Sequence, residues 1–135
     1  MNWSTDDAGK LLLRVLVGGL LVLHGFHKLT TGPGEVASIL SAHGVPAFLA
    51  YGVYLGEVVG PVLMVLGVYA RVGALLVVAN MLVAVLATRG LNLWHLNDHG
   101  GWGIELEVLF GVGALCVALF GAGSYSAAGK GGKFN

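Results

Sequence analysis

Four long stretches of the chain are nearly free of charge, and the polar residues gather between them. The first runs from Leu11 to about Leu29, the second from Ala47 to Tyr69, the third from Val72 to Ala87 and the fourth from Ile104 to Phe120. A helix rises about 1.5 Å per residue, so crossing a hydrocarbon core takes roughly 20 mostly apolar residues, and each run is of that order. None of them alternates polar and apolar positions as the strands of a membrane barrel must. The pattern predicts an all-α integral membrane four-helix bundle forming a single domain over residues 1–135. The turn between the second and third runs, YAR (69–71), is short enough to make those two spans antiparallel neighbours. In the connector TTGPGEVASILSAHGVP (30–46), Val36, Ile39 and Leu40 recur at helical spacing, which predicts a short interfacial helix between the first and second spans. Gly52, Gly56 and Gly60 form a stripe of small residues suited to close helix packing, and Pro61 after it predicts a kink.

Composition agrees with this pattern. Charged residues make up 10% of the chain, against about 25% in an ordinary soluble domain. Apolar residues make up 56%, and the mean hydropathy is +0.84. A soluble chain of 135 residues has too little polar surface to cover so much apolar material. The net charge is zero and no basic run occurs, which argues against nucleic acid as a partner. The opening MNWSTDDAGK carries two aspartates and lacks the basic region of a cleavable signal, so the first run reads as a retained span. Cys116 is the only cysteine, which excludes an intrachain disulfide and a Cys-x-x-Cys pair. Electron chemistry would need a bound cofactor or quinone, and no covalent cofactor is indicated. Lys10, Arg14, Arg71, Lys130 and Lys133 fall on the side of the termini, and Lys28 and Arg89 on the other. The bias of Lys and Arg toward the cytoplasm places both termini inside.

Given that orientation, the ionisable residues with any depth collect in the outer half. His24, His27 and Lys28 close the first span in VLHGFHKL, Glu57 lies near the middle of the second, and Glu105 and Glu107 open the fourth. Arg89, His95, Asp98 and His99 lie beside them in the outer loop, and Asn80 is near the middle of the third span. An ionisable group inside a span is costly unless paired or wet, and it usually faces the bundle interior. His24 and Lys28, four apart, share a helix face. Together with Glu57 and Glu105 they form a candidate acid–base pocket, with His24, Glu57 and Glu105 as proton-handling groups. His24, Lys28, Glu57, Glu105 and Asn80 are the candidate ligand contacts. The plainer readings are that Lys28 snorkels to the interface and that His24 is a packed core histidine. His27 reads as interfacial. Glu107 cannot share a face with Glu105, so one of the two is solvated at the rim. His95 and His99 stand at metal-ligand spacing but lack further ligands, so no metal site is assigned. GVG (111–113) lies within a span and is no phosphate loop.

Three motifs carry a family resemblance. In LLLRVLVGGLLVLHGFHKL, Arg14, His24, Gly25 and Lys28 stand in the pattern R…HG..KL. GEVVGPVLMVLGVYARVGA places Gly56, Glu57, Gly60, Gly67 and Arg71 in a span with glutamate and an arginine-bearing turn. GGWGIELEVLF…GAGSYS supplies Gly101, Glu105, Gly121, Gly123 and Tyr125. In this order the chain resembles the DoxX family of small four-helix membrane proteins over nearly its whole length. The acidic residue that commonly follows the final YS is replaced by Ala127-Ala128. The resemblance implies the bacterial inner membrane and a setting among oxidoreductases, since the family is named after a subunit of a thiosulfate:quinone oxidoreductase.

Two functions from different classes follow. The first is a quinone-interacting subunit or partner of a membrane oxidoreductase, in which the outer pocket binds quinone carbonyls and shuttles protons. The second is a non-catalytic assembly module, whose glycine stripe and outer loop recruit a membrane or periplasmic protein, or a second copy of the chain. A carrier is disfavoured, because four spans leave little room for a pathway and no inverted repeat is visible.

Overall fold

The computed structural model describes residues 4–32, 34–89 and 94–135. The side chains of Val36 and of residues 87–89, and with them the expected place of Arg89, lie outside the described residues. All regular structure among the described residues is helical: α1 (Thr5–Thr31), α2 (Gly34–Ala42), α3 (Ala47–Leu66), α4 (Ala70–Arg89) and α5 (Glu105–Phe120). An isolated bridge between Leu96 and Trp102 ties the loop before α5, where Trp94 and Trp102 stack at 6.2 Å.

Capping chemistry sets where the helices begin and end. The Ser4 hydroxyl accepts from the Asp7 amide at 3.4 Å, and Asp6 and Asp7 occupy the first turn, where the helix end favours negative charge. α1 therefore starts at Thr5, six residues ahead of the apolar run. α3 stops at Leu66, short of Tyr69, because Gly67 takes a left-handed conformation (φ 72°) and returns its amide to the Leu63 carbonyl at 2.9 Å.

α3 is not uniform. It opens as a 3₁₀ helix over Ala47–Gly52, widens to a π-helical stretch over Leu55–Val59 and continues as an α-helix over Gly60–Leu66. Pro61 has no N–H, so the Glu57 carbonyl loses the donor that an α-helix would place four residues on. The ladder widens one residue earlier, where the Gly60 amide reaches back five residues to the Leu55 carbonyl. The kink expected at Pro61 thus takes the form of a widened turn, and that turn carries Glu57.

α1 packs on α3 and α5, and α4 packs on α3 and α5, so each of the four long helices has two main neighbours. Val17, Leu21, Met64, Ala74, Val77, Met81, Phe110, Ala114 and Val117 form the apolar core between them. Glycines set the closest approaches. A Cβ on Gly25 would collide with the Glu57 carbonyl, and Gly60 and Gly73 bring α3 and α4 into backbone contact. The predicted stripe is only partly a packing surface. Gly56 and Gly60 meet α4, whereas a Cβ on Gly52 would find no atom within 4 Å, so Gly52 packs against nothing.

α1 and α3 are long and apolar enough to cross a membrane, with mean hydropathies of 1.6 and 1.7. Only 28% and 33% of their apolar windows are buried within the chain, unlike core helices of a water-soluble protein. Leu12, Leu23, Leu109 and Leu119 are each about two-thirds exposed or more.

At the end that carries the termini, arginines close the helices. The Arg14 side chain is fully buried and donates to the carbonyls of Met64 (2.9 Å), Val65 (2.7 Å), Ala122 (3.1 Å) and Tyr125. Met64 and Val65 lie in the last turn of α3, whose carbonyls have no partner within the helix. Arg71 does the same for α5, donating to Ala118 at 2.9 Å and Leu119 at 3.2 Å. Residues 121–135 are folded over this end. Buried Asp7 accepts from the Ser124 amide and hydroxyl at 3.1 and 3.0 Å, and the Ala127 amide donates to Leu66 at 2.9 Å. The Asn135 side chain accepts from the Ala70 amide at 3.2 Å, capping the start of α4.

Candidate functional site

The end away from the termini holds a cavity of about 870 Å³. It is lined by one face of α1, the first half of α3, the second half of α4, the start of α5 and the inner side of α2. Most of its wall is apolar, including Leu21, Ile39, Leu40, Leu76, Met81 and Phe110. Leu21, His24 and Lys28 recur at i, i+3 and i+7, so the face of α1 that enters the core further along turns polar where it reaches the cavity.

Glu57 is the buried charge of this region, 6% exposed on the widened turn of α3. Lys28 Nζ lies 2.8 Å from both carboxylate oxygens and donates its hydrogen bond to Oε1. Asn80 Nδ2 donates to the same Oε1 at 3.3 Å. Oε2, itself sealed from solvent, is held by the ion pair with Lys28 alone. The lysine is fixed in turn by its own backbone. The Lys28 carbonyl accepts from the Tyr54 hydroxyl at 3.2 Å and from the Gly32 amide at 2.8 Å, which locks the last turn of α1 beside α3. Desolvating a carboxylate costs several kcal/mol, and an ammonium at contact distance offsets it. Lys28 therefore does not simply reach outward to an interface.

His24 opens into the cavity and meets Phe110 edge to face, with centroids 5.8 Å apart. His24, Lys28, Glu57 and Asn80 thus line one space. Glu105 does not. It is exposed and folds back against Gly101, while Glu107, about 200° further round the helix, lines the cavity instead. His27 is exposed on the other side of α1, and His95, Asp98 and His99 are exposed in the loop before α5. Two lining residues were not expected. Glu35 on α2 and His43 in the turn just past its end reach the cavity because they flank Ile39 at four residues on either side, a spacing that was open to reading once α2 was predicted.

A family model described as DoxX matches residues 9–90, more than half of the chain and all of α1 to α4 except the first turn of α1. The chain belongs to the DoxX family. This DoxX protein is 30% identical over 89 residues to a protein of Bacillus subtilis strain 168 named "Putative oxidoreductase CatD", an alignment covering 66% of the chain and 65% of CatD. It therefore spans slightly less than two-thirds of that relative. It is also 32% identical over 116 residues to an uncharacterized protein of Haemophilus influenzae, covering 83% of the chain and 82% of the relative. No solved structure matches it. The family is membrane-associated, in keeping with the two long apolar helices of this DoxX protein.

Proposed function

We propose that this DoxX protein is a four-helix bundle of the bacterial cytoplasmic membrane, with both termini inside and α2 lying at the outer interface. Its outer-half cavity holds the head group of a lipophilic quinone on behalf of a membrane oxidoreductase. The observation that carries this reading is the Lys28–Glu57 pair, its carboxylate buried and its lysine partly exposed, set in the wall of a largely apolar space of about 870 Å³. A space of that size and lining suits a small lipophilic molecule oriented by a few polar groups. Lys28 and Asn80 supply N–H donors at one end, and His24 stands where it exchanges protons with a bound ring. The name of the relative CatD supports a redox setting. The chain itself offers no dithiol, so electrons would pass between the bound ligand and a partner protein.

The test is the ligand content of the purified protein. Gly52 lines the cavity with open space around it, so Gly52→Leu fills the cavity without disturbing the helix contacts. Protein extracted in mild detergent should retain a quinone-class lipid that the variant loses. Equal and negligible content in both would sink the proposal.

A further inference from the structure

The cavity is polar toward α1 and apolar toward α4, and its apolar side reaches the outward surface of the bundle. We infer that it opens sideways between the first half of α3 and the second half of α4, and that the ligand's hydrocarbon chain leaves through this gap into the bilayer. The inference rests on the quinone reading above. It adds that the ligand is a long-chain lipid exchanged from the membrane, with its ring inside the bundle and its chain outside.

The gap follows from the way α3 and α4 run past each other. They are antiparallel and touch through small residues: Gly60 meets Gly73, and Gly56 meets Asn80. One turn further on, Gly52 should face Val83 and Ala84, but a Cβ on Gly52 would find no atom within 4 Å. The opening turns of α3 pack on α2 instead, so the two helices diverge toward the end away from the termini.

The residues bordering the gap belong to the outward stripes of both helices. Leu75, Ala79, Leu82 and Leu86 are exposed at helical spacing along α4, as are Leu55, Val59, Val62 and Leu66 along α3. Ala79, Leu86 and Leu55 of these stripes also line the cavity, together with exposed Leu49 and Val83. Its wall therefore continues onto the surface that faces lipid. The helices stand in the ring order α1, α3, α4, α5, so the α3–α4 gap is opposite the edge where α1 meets α5. That far edge carries His24, Lys28 and Glu107, and its exposed lining residues are His24 and Leu106. A ring held by the polar groups thus points its chain at the gap. The cavity has room for a molecule of drug size, and a longer chain must leave it. The chain loses nothing by leaving, because lipid is as apolar as the helix faces. α2 bridges the diverging helices at their outer end, with buried Leu40 against the cavity.

The experiment is photolabelling of the full chain in phosphatidylcholine nanodiscs. The probe is a benzoquinone with a long alkyl chain that ends in a diazirine. It is irradiated with and without an excess of the same quinone lacking the diazirine, and the adducts are mapped by peptide mass spectrometry. The expected result is that adducts suppressed by the competitor fall within residues 49–55 and 79–86. Suppressible adducts confined to α1 and α5, around His24 and Leu106, overturn the gap while leaving the quinone site standing. No suppressible adduct anywhere overturns the quinone site itself. In Val83→Trp an indole at this exposed position obstructs the gap, and suppressible labelling should fall at least about tenfold. Unchanged labelling in that variant also overturns the gap. The mapping needs no variant, so it stands even if Val83→Trp folds poorly.

Discussion

Lys28 and Glu57 each exist in a form the other makes tolerable. Removing the lysine leaves a carboxylate buried in an apolar wall, whereas removing both charges leaves only packing to restore. Lys28→Met should therefore destabilise the protein by about 3 kcal/mol, and Lys28→Met combined with Glu57→Met should recover most of that. Thermal unfolding in detergent of the two single variants and the pair checks this; strict additivity would refute it. Arg14 makes a second residue-scale prediction. Lysine retains the charge but not the planar fork that reaches four carbonyls from two segments, the end of α3 and residues 121–135. Arg14→Lys should cost about 2 kcal/mol or more, with faster amide exchange at Ser124 and Ala127. At this scale the sequence was half legible. That Glu57 needed a partner followed from its apolar neighbours. That Arg14 would be buried did not, because its acceptors are backbone carbonyls, which leave no mark in side-chain identity.

At the scale of the element, the informative pair is Gly25 and Gly19. Both lie in α1, but a Cβ on Gly25 would strike the Glu57 carbonyl, whereas one on Gly19 would meet nothing within 4 Å. Gly25→Ala should push α1 from α3 at the cavity and cost about 1–3 kcal/mol, as overpacking does. Gly19→Ala should be neutral or stabilise by up to about 1 kcal/mol through helix propensity. Comparing their unfolding midpoints tests whether the crossing or the bare presence of glycine matters; equal effects would speak against the crossing. The four long apolar runs were legible because lipid compatibility constrains some 20 residues at once. Their ends were not, since Ser4 and Gly67 act through single hydrogen bonds. Nor was helix phase at the start of α5. Two glutamates two residues apart must point in nearly opposite directions, and only the packing of α5 decides that Glu107 lines the cavity and Glu105 does not.

Across the whole molecule, the two ends have different chemistry. One is sealed by arginines and the segment 121–135; the other is opened by a cavity. The proposed orientation predicts that, in a Cys116→Ala background, single cysteines replacing Ser4 or Ser126 resist a membrane-impermeant maleimide applied to spheroplasts. A cysteine replacing exposed Ser41, in the last turn of α2, should react. Reaction at Ser4 and Ser126 with protection at Ser41 would invert the molecule. The segment 121–135 is rich in glycine and serine and forms no helix. Its order comes instead from what it satisfies at distant points of the chain: Asp7, Arg14, Leu66, Ala70 and Arg71.

That arrangement has a consequence for how the protein is made. The guanidinium of Arg14 emerges from the ribosome in the first helix, but two of its four acceptors, Ala122 and Tyr125, are synthesised after all the helices. Until then the Arg14 guanidinium has only the carbonyls of Met64 and Val65 to meet it. In the proposed topology, insertion of the helices and completion of the fold are therefore separate events in time, and a ribosome stalled at Phe120 would leave the helices formed with the end that carries the termini still open.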